Sequence, residues 1–121
     1  MQWKKSPPEL AAFLAEALAS FDCQAKKMFG YPCYFVNGNM WAGLHQDSLF
    51  IRLSGPDQKE LLSTWTEAGQ LEPMPGHYMK DYVVLPETLY RDTSAFAEWL
   101  ERSYRWVSSL PPKQSKSKKK G

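Results

Sequence analysis

The chain has 121 residues, of which 43% are apolar, 14% aromatic and 23% charged, with two cysteines and a mean hydropathy of −0.51. That is one domain's length, with apolar side chains enough for a core that buries roughly two-thirds of the unfolded surface, and it excludes a disordered chain, a disulfide framework and a membrane-embedded protein. The formal charge of +2 is unevenly divided: residues 111–121 hold five lysines and no acid, which leaves ten basic side chains against thirteen acidic ones in the rest.

The opening MQWKKSPPEL has no apolar stretch behind its lysines, so the expected location is the cytoplasm, with Cys23 and Cys33 reduced. Ser6, Pro7 and Glu9 read as a capping box with proline in the first turn, and Leu10, Phe13, Leu14, Ala17, Leu18 and Phe21 recur at helical spacing behind it. From Ala25 the period falls to two. Asn37-Gly38 marks a tight hairpin that pairs Phe35 with Met40 and Cys33 with Ala42, and Gln46-Asp47 a second that pairs Leu44 with Leu49 and Ala42 with Ile51. In this register Cys33, Phe35, Met40, Ala42, Leu44, Leu49, Ile51 and Leu53 share one face, and Tyr34, Val36, Trp41, Gly43, His45, Phe50 and Arg52 the other.

Ser54-Gly55-Pro56-Asp57 starts a second helix, with Leu61, Leu62 and Trp65 inward and Gly69 as its stop. The proline- and glycine-punctuated segment 71–81 predicts a short strand and an ordered loop, and Tyr82–Leu85 a strand ended by Pro86. Asp92 caps a last helix carrying Phe96, Trp99, Leu100, Tyr104, Trp106, Val107 and Leu110, and Pro111 and Pro112 close it. Helix, three or four antiparallel strands, helix, one or two strands, helix makes an α+β two-layer sandwich spanning residues 1–112, with 113–121 a disordered lysine- and serine-rich tail.

Chemistry is sparse. Cys23, Cys33, His45 and His77 lack the close spacing of metal ligands, Cys33 and His45 fall on opposite faces, and no serine sits in a nucleophile turn. No catalytic residue, cofactor or metal is expected. His77 and Lys80, in a segment between Met74 and Met79, are candidate contacts for an anion or a partner; the same segment also reads as a loop capping the sheet edge, with both methionines plugging the core. The stronger candidate is Tyr34, Val36, Trp41 and Phe50, side by side on the sheet face away from the helices, where exposed apolar groups mark a protein interface; the alternative is that a helix or the Trp3 segment covers them. Nucleic acid is a possible partner only through Lys113, Lys116, Lys118, Lys119 and Lys120, because the remaining chain is mildly acidic.

Lys27-Met28-Phe29-Gly30, Tyr34-Phe35-Val36-Asn37-Gly38-Asn39-Met40 and Leu49-Phe50-Ile51-Arg52 together resemble the N-terminal domain of the TfoX/Sxy proteins. Glu72-Pro73-Met74-Pro75-Gly76, Met79-Lys80, Tyr82-Val83-Val84-Leu85-Pro86-Glu87, Trp99-Leu100 and Leu110-Pro111-Pro112-Lys113 fit the same pattern, so the resemblance runs from about Met28 to Lys113. It implies an α+β fold like that of secretion chaperones, often paired as homodimers, in a family of bacterial competence regulators that act with the cyclic-AMP receptor protein. No counterpart of those regulators' C-terminal helical domain is expected, and stand-alone copies of this domain have no established reaction. The expectation is a non-enzymatic regulatory or protein-interaction module, homodimeric, without a membrane partner.

Overall fold

The computed structural model describes residues 7–28 and 30–112. Ten elements follow in order: α1 (Pro8–Leu18), β1 (Gln24–Met28), β2 (Tyr31–Val36), β3 (Asn39–His45), β4 (Ser48–Arg52), α2 (Gly55–Thr64), β5 (Gly69–Met74), β6 (His77–Leu85), α3 (Glu87–Tyr90) and α4 (Thr93–Ser109). The six strands form one antiparallel sheet in the order β1-β2-β3-β4-β6-β5. The α+β class and the helix–strand order predicted above are both present.

The element ends follow from local chemistry. The Ser54 hydroxyl accepts from the Asp57 N–H at 3.4 Å to start α2, and the Asp92 carboxylate accepts from the Ala95 N–H at 3.1 Å to start α4. At α1 the expected cap shifts by one: Pro7 takes the N-cap with Pro8 in the first turn, and Ser6 lies outside the described residues. The first hairpin turns on Asn37 and Gly38 at φ of 52° and 82°, the left-handed pair that a two-residue turn needs. Helix α2 stops at Thr64, so Gly69 opens β5 instead of ending the helix. The segment expected as strand and loop is one long hairpin, β5–β6, turning through Pro75 and Gly76. The short α3 is unanticipated; it follows the extended Pro86 and buries Leu89.

All the described helices pack on one side of the sheet. Leu10, Leu14 and Leu18 of α1, Leu61 of α2, Leu89 of α3, and Phe96, Trp99, Leu100 and Val107 of α4 close over Val36, Trp41, Ala42, Leu44, Leu49, Ile51, Leu53, Val83 and Leu85. Asn39, itself buried, donates from Nδ2 to the Pro111 carbonyl at 3.0 Å, tying the chain beyond α4 to the first hairpin.

The expected division of the two sheet faces holds on one side of Trp41 and inverts on the other. The pairs Phe35–Met40, Leu44–Leu49 and Ala42–Ile51 form as predicted, but the register slips between Phe35 and Tyr34, so that Tyr34 pairs with Ala42 and Cys33 with Gly43. Trp41 is the extra residue of this bulge. Its indole is fully buried, 5.0 Å from Phe21 and 5.0 Å from Tyr104, both nearly edge-on. Residues before the bulge therefore change sides: Tyr34 and Val36 lie with the helices, and Cys33, Phe35 and Met40 lie on the far face with Phe50.

Magnitudes explain the choice. Burying an indole of 150–250 Å² contributes roughly 4–6 kcal/mol at about 25 cal/mol per Å². Against that stand about 1 kcal/mol for a disturbed ladder hydrogen bond and about 1–3 kcal/mol for the indole N–H, which finds no hydrogen-bond partner among the described residues. The ring prevails. Across the bulge, Gly43 leaves no room for a side chain: a Cβ there would stand 2.9 Å from the Pro32 carbonyl oxygen and 3.0 Å from both Cys33 Sγ and Phe50 Cζ.

Trp41→Ala should lower stability by about 3–5 kcal/mol in urea unfolding, as for a large buried ring, whereas loss of an exposed ring would change it by less than about 0.5 kcal/mol. Gly43→Ala, which must displace the Pro32 backbone, should cost about 1–3 kcal/mol in the same measurement.

Candidate functional site

The interface expected from Tyr34, Val36, Trp41 and Phe50 does not exist as one surface. The bulge sends Tyr34, Val36 and Trp41 beneath the helices, while Phe50 remains on the far face. Val36, Trp41 and Phe50 are buried and Tyr34 is half-buried, so the four present no shared exposed patch. The far face has different members. Cys33, Met40, Phe50 and Leu71 form a second buried cluster, ringed by the half-buried Met28, Phe35, Met79, Tyr82 and Val84. No described helical residue belongs to it. The twisted β5–β6 hairpin helps to enclose it, because Leu71 pairs with Met79 across a bulged ladder.

Cations border this face. Lys26 Nζ lies 5.1 Å from the centre of the Phe35 ring, and the Arg52 guanidinium lies 5.3 Å from that of Tyr82. Arg52 also reaches Asp81 at 3.2 Å, and burial pushes the Tyr82 hydroxyl above its ordinary pKa despite the nearby guanidinium. His77 and Lys80 lie on β6, in the part that runs past the end of β4, and both are exposed. Neither side chain makes an ion pair among the described residues. Of the two readings of this segment, the core plug fails for Met74, which is 57% exposed, whereas Met79 does pack against the second cluster. Met74 and Tyr78, the latter 62% exposed, are the large apolar side chains that the described chain leaves in water. The lysines from Lys113 to Lys120 lie outside the described residues.

Reactive side chains are few. Cys33 is buried, and desolvation pushes its thiol up to about 11, so the sulfur stays protonated at neutral pH. Cys23 is raised by burial and then by Asp22. His45 packs against Tyr31, with ring centres 5.3 Å apart; the expected opposite facing of Cys33 and His45 is overturned, because the bulge pairs Cys33 with Gly43 and so brings it to the face that His45 also lies on. Among the described residues no three His, Cys, Asp or Glu side chains gather as a metal site. A cleft of about 620 Å³ between α1 and α4 is floored by Phe13, Phe21, Phe96 and Leu100, with Glu16 and Glu101 at its rim, and contains no cysteine or histidine. No described helix is long and apolar enough to cross a membrane.

Helices on one side of an open six-stranded antiparallel sheet, and a second apolar cluster on the other, define an α+β domain whose distinctive surface is its far sheet face. The model of the TfoX N-terminal domain matches residues 15–106, and the chain belongs to that family. A search of the curated proteins found no match.

The burial of Cys33 has a direct readout. At pH 8 a rise from 9.0 to about 11 lowers its thiolate fraction about a hundredfold, so a thiol reagent should label Cys33 at least that much more slowly in the native protein than in urea. The raised value also sets the sign for stability: the contribution is intact below the unfolded pKa and is lost as pH rises from 9.0 toward 11. Native labelling at the unfolded rate would show the thiol to be open.

Proposed function

We propose that this domain works without catalysis, as a regulatory module that acts through protein contacts and pairs with a second copy of itself through the far face of its sheet. The observation that carries this reading is the second apolar cluster, whose half-buried rim of Met28, Phe35, Met79, Tyr82 and Val84 has no described helix over it. A sheet face of this kind is covered in most folds, and apolar surface left outside a core marks association. The β5–β6 hairpin, which carries the rim residue Met79, also exposes Met74 and Tyr78. The pairing that the TfoX/Sxy resemblance implies agrees with a two-fold contact, in which one self-complementary patch serves both copies. The buried Cys33 thiol, which stays protonated at neutral pH, agrees with a role without catalysis.

Sedimentation velocity should find a dimer for the full chain. Met79→Glu, which places a charge in the rim, should weaken it at least tenfold while leaving the circular dichroism unchanged. Met74→Ser with Tyr78→Ser, both at exposed positions, provides a pair of changes that folding tolerates and should weaken it in the same direction. A full chain that stays monomeric, or a dimer that neither variant disturbs, rejects the assigned face.

A further inference from the structure

The two edges of the sheet are not equivalent. Strand β5 forms one edge and is blunted by Pro73, which has no N–H to offer, and by bulges along its pairing with β6. Strand β1 forms the other, with β2 as its one neighbour and a regular register from Gln24–Phe35 to Met28–Tyr31. Gln24, Ala25, Lys26 and Lys27 are all exposed. In an antiparallel pair about half of an edge strand's N–H and C=O groups point away from the neighbour. Among the described residues, no turn, cap or side-chain hydrogen bond is made to Gln24–Met28. Among the described residues, the regular edge is the open one.

Charge selects what can add to it. Lys26 pairs with Cys33 and stands over Phe35, on the far face; Lys27, next along the strand, pairs with Pro32 and points to the other side. Neither lysine makes an ion pair among the described residues. A second copy adding through its own β1, centred on Lys26, would set ammonium against ammonium in the directly opposed position, which is destabilising. A strand with two consecutive acidic residues meets the opposite case, because its neighbouring side chains also alternate, one carboxylate reaching Lys26 on the far face and the next reaching Lys27 on the other. We infer that the β1 edge is a docking site for an extended segment of another protein that carries an adjacent pair of acidic residues and adds to the sheet as a seventh strand.

This inference rests on the reading that the domain acts through protein contacts; it uses the backbone edge of β1, whose Met28 belongs to the self-pairing rim, and the peptide and the sedimentation measurements report on the edge and on the face separately. The test is fluorescence anisotropy of the full chain with a labelled eight-residue peptide of alternating valine and threonine interrupted by one Glu-Glu pair. The expected result is saturable binding, lost when proline replaces the residue next to the pair and weakened about tenfold by Lys26→Glu with Lys27→Glu. Both lysines are exposed, so the double variant should fold as the parent does. The Met74→Ser, Tyr78→Ser variant should bind the peptide unchanged whatever its oligomeric state. No binding by the full chain overturns the inference. Equal binding of the proline peptide, or displacement by a single-stranded oligonucleotide at the same charge concentration, overturns it as well, since either shows attraction of anions without strand addition.

Discussion

The burial of one indole organises this molecule. Trp41 lies between Phe21, just beyond α1, and Tyr104 of α4, and through them it joins the first helix, the central strand and the last helix. Accommodating it takes one additional residue in β3, and that residue reverses the facing of everything N-terminal to it in the first hairpin. The second apolar cluster is a consequence. Cys33, Phe35 and Met40 reach the far face because the strand has been shifted by one position, and they meet Phe50, Leu71 and Met79 there. The candidate surface is thus set by a packing decision made on the opposite side of the sheet.

That dependence explains what was legible in the sequence. The turn at Asn37-Gly38 needs a positive φ at both residues, and the Ser54 and Asp92 caps need a side-chain oxygen at one position, so each can be read locally. The pairs on either side of the bulge could be counted from the turns. The bulge itself could not, because β2 and β3 are apolar on both faces: Tyr34 and Phe35, or Trp41 and Ala42, fit either side equally well by hydrophobicity. Gly43 was the available clue. A glycine in a central strand often marks a bulge or a close approach, and here the Pro32 carbonyl, Cys33 and Phe50 crowd the place of its missing side chain. The β5–β6 hairpin was obscured for a different reason, since Pro73 and Pro75 argue locally against a strand that only pairing with β6 sustains.

The helical layer is held by a separate electrostatic arrangement. Arg102 of α4 reaches Glu60 of α2 at 2.9 Å, Asp57 at 3.5 Å and Glu98 on its own helix at 3.2 Å, while its guanidinium lies 4.5 Å from the Trp99 ring centre. The hydrogen bond to Arg102 holds the Glu60 carboxyl below its ordinary pKa, so whatever it contributes is present above the unfolded carboxylate pKa and lost as pH falls through the lower folded value. These groups face water in large part, and such pairs orient helices more than they stabilise them. Leu61, fully buried one residue after Glu60, supplies the apolar anchor for the same contact.

Charge and apolar surface make different demands on the sheet. The helical spans carry seven acidic and three basic side chains, the strands two acidic and four basic. In the proposed pairing, two copies meeting sheet to sheet would bring surfaces of the same sign together, but the net charge is small and one basic group, Arg52, is already paired with Asp81. At physiological salt, charges more than about 8 Å apart are largely screened, whereas removing the rim of Met28, Phe35, Met79, Tyr82 and Val84 from water gains about 25 cal/mol for each Å². Apolar burial therefore governs the broad face. At the narrow β1 edge the order is reversed: little apolar area is on offer, two lysines stand directly at the contact, and the backbone groups are indifferent to sequence. Charge is what can discriminate there, and it discriminates against the chain's own β1.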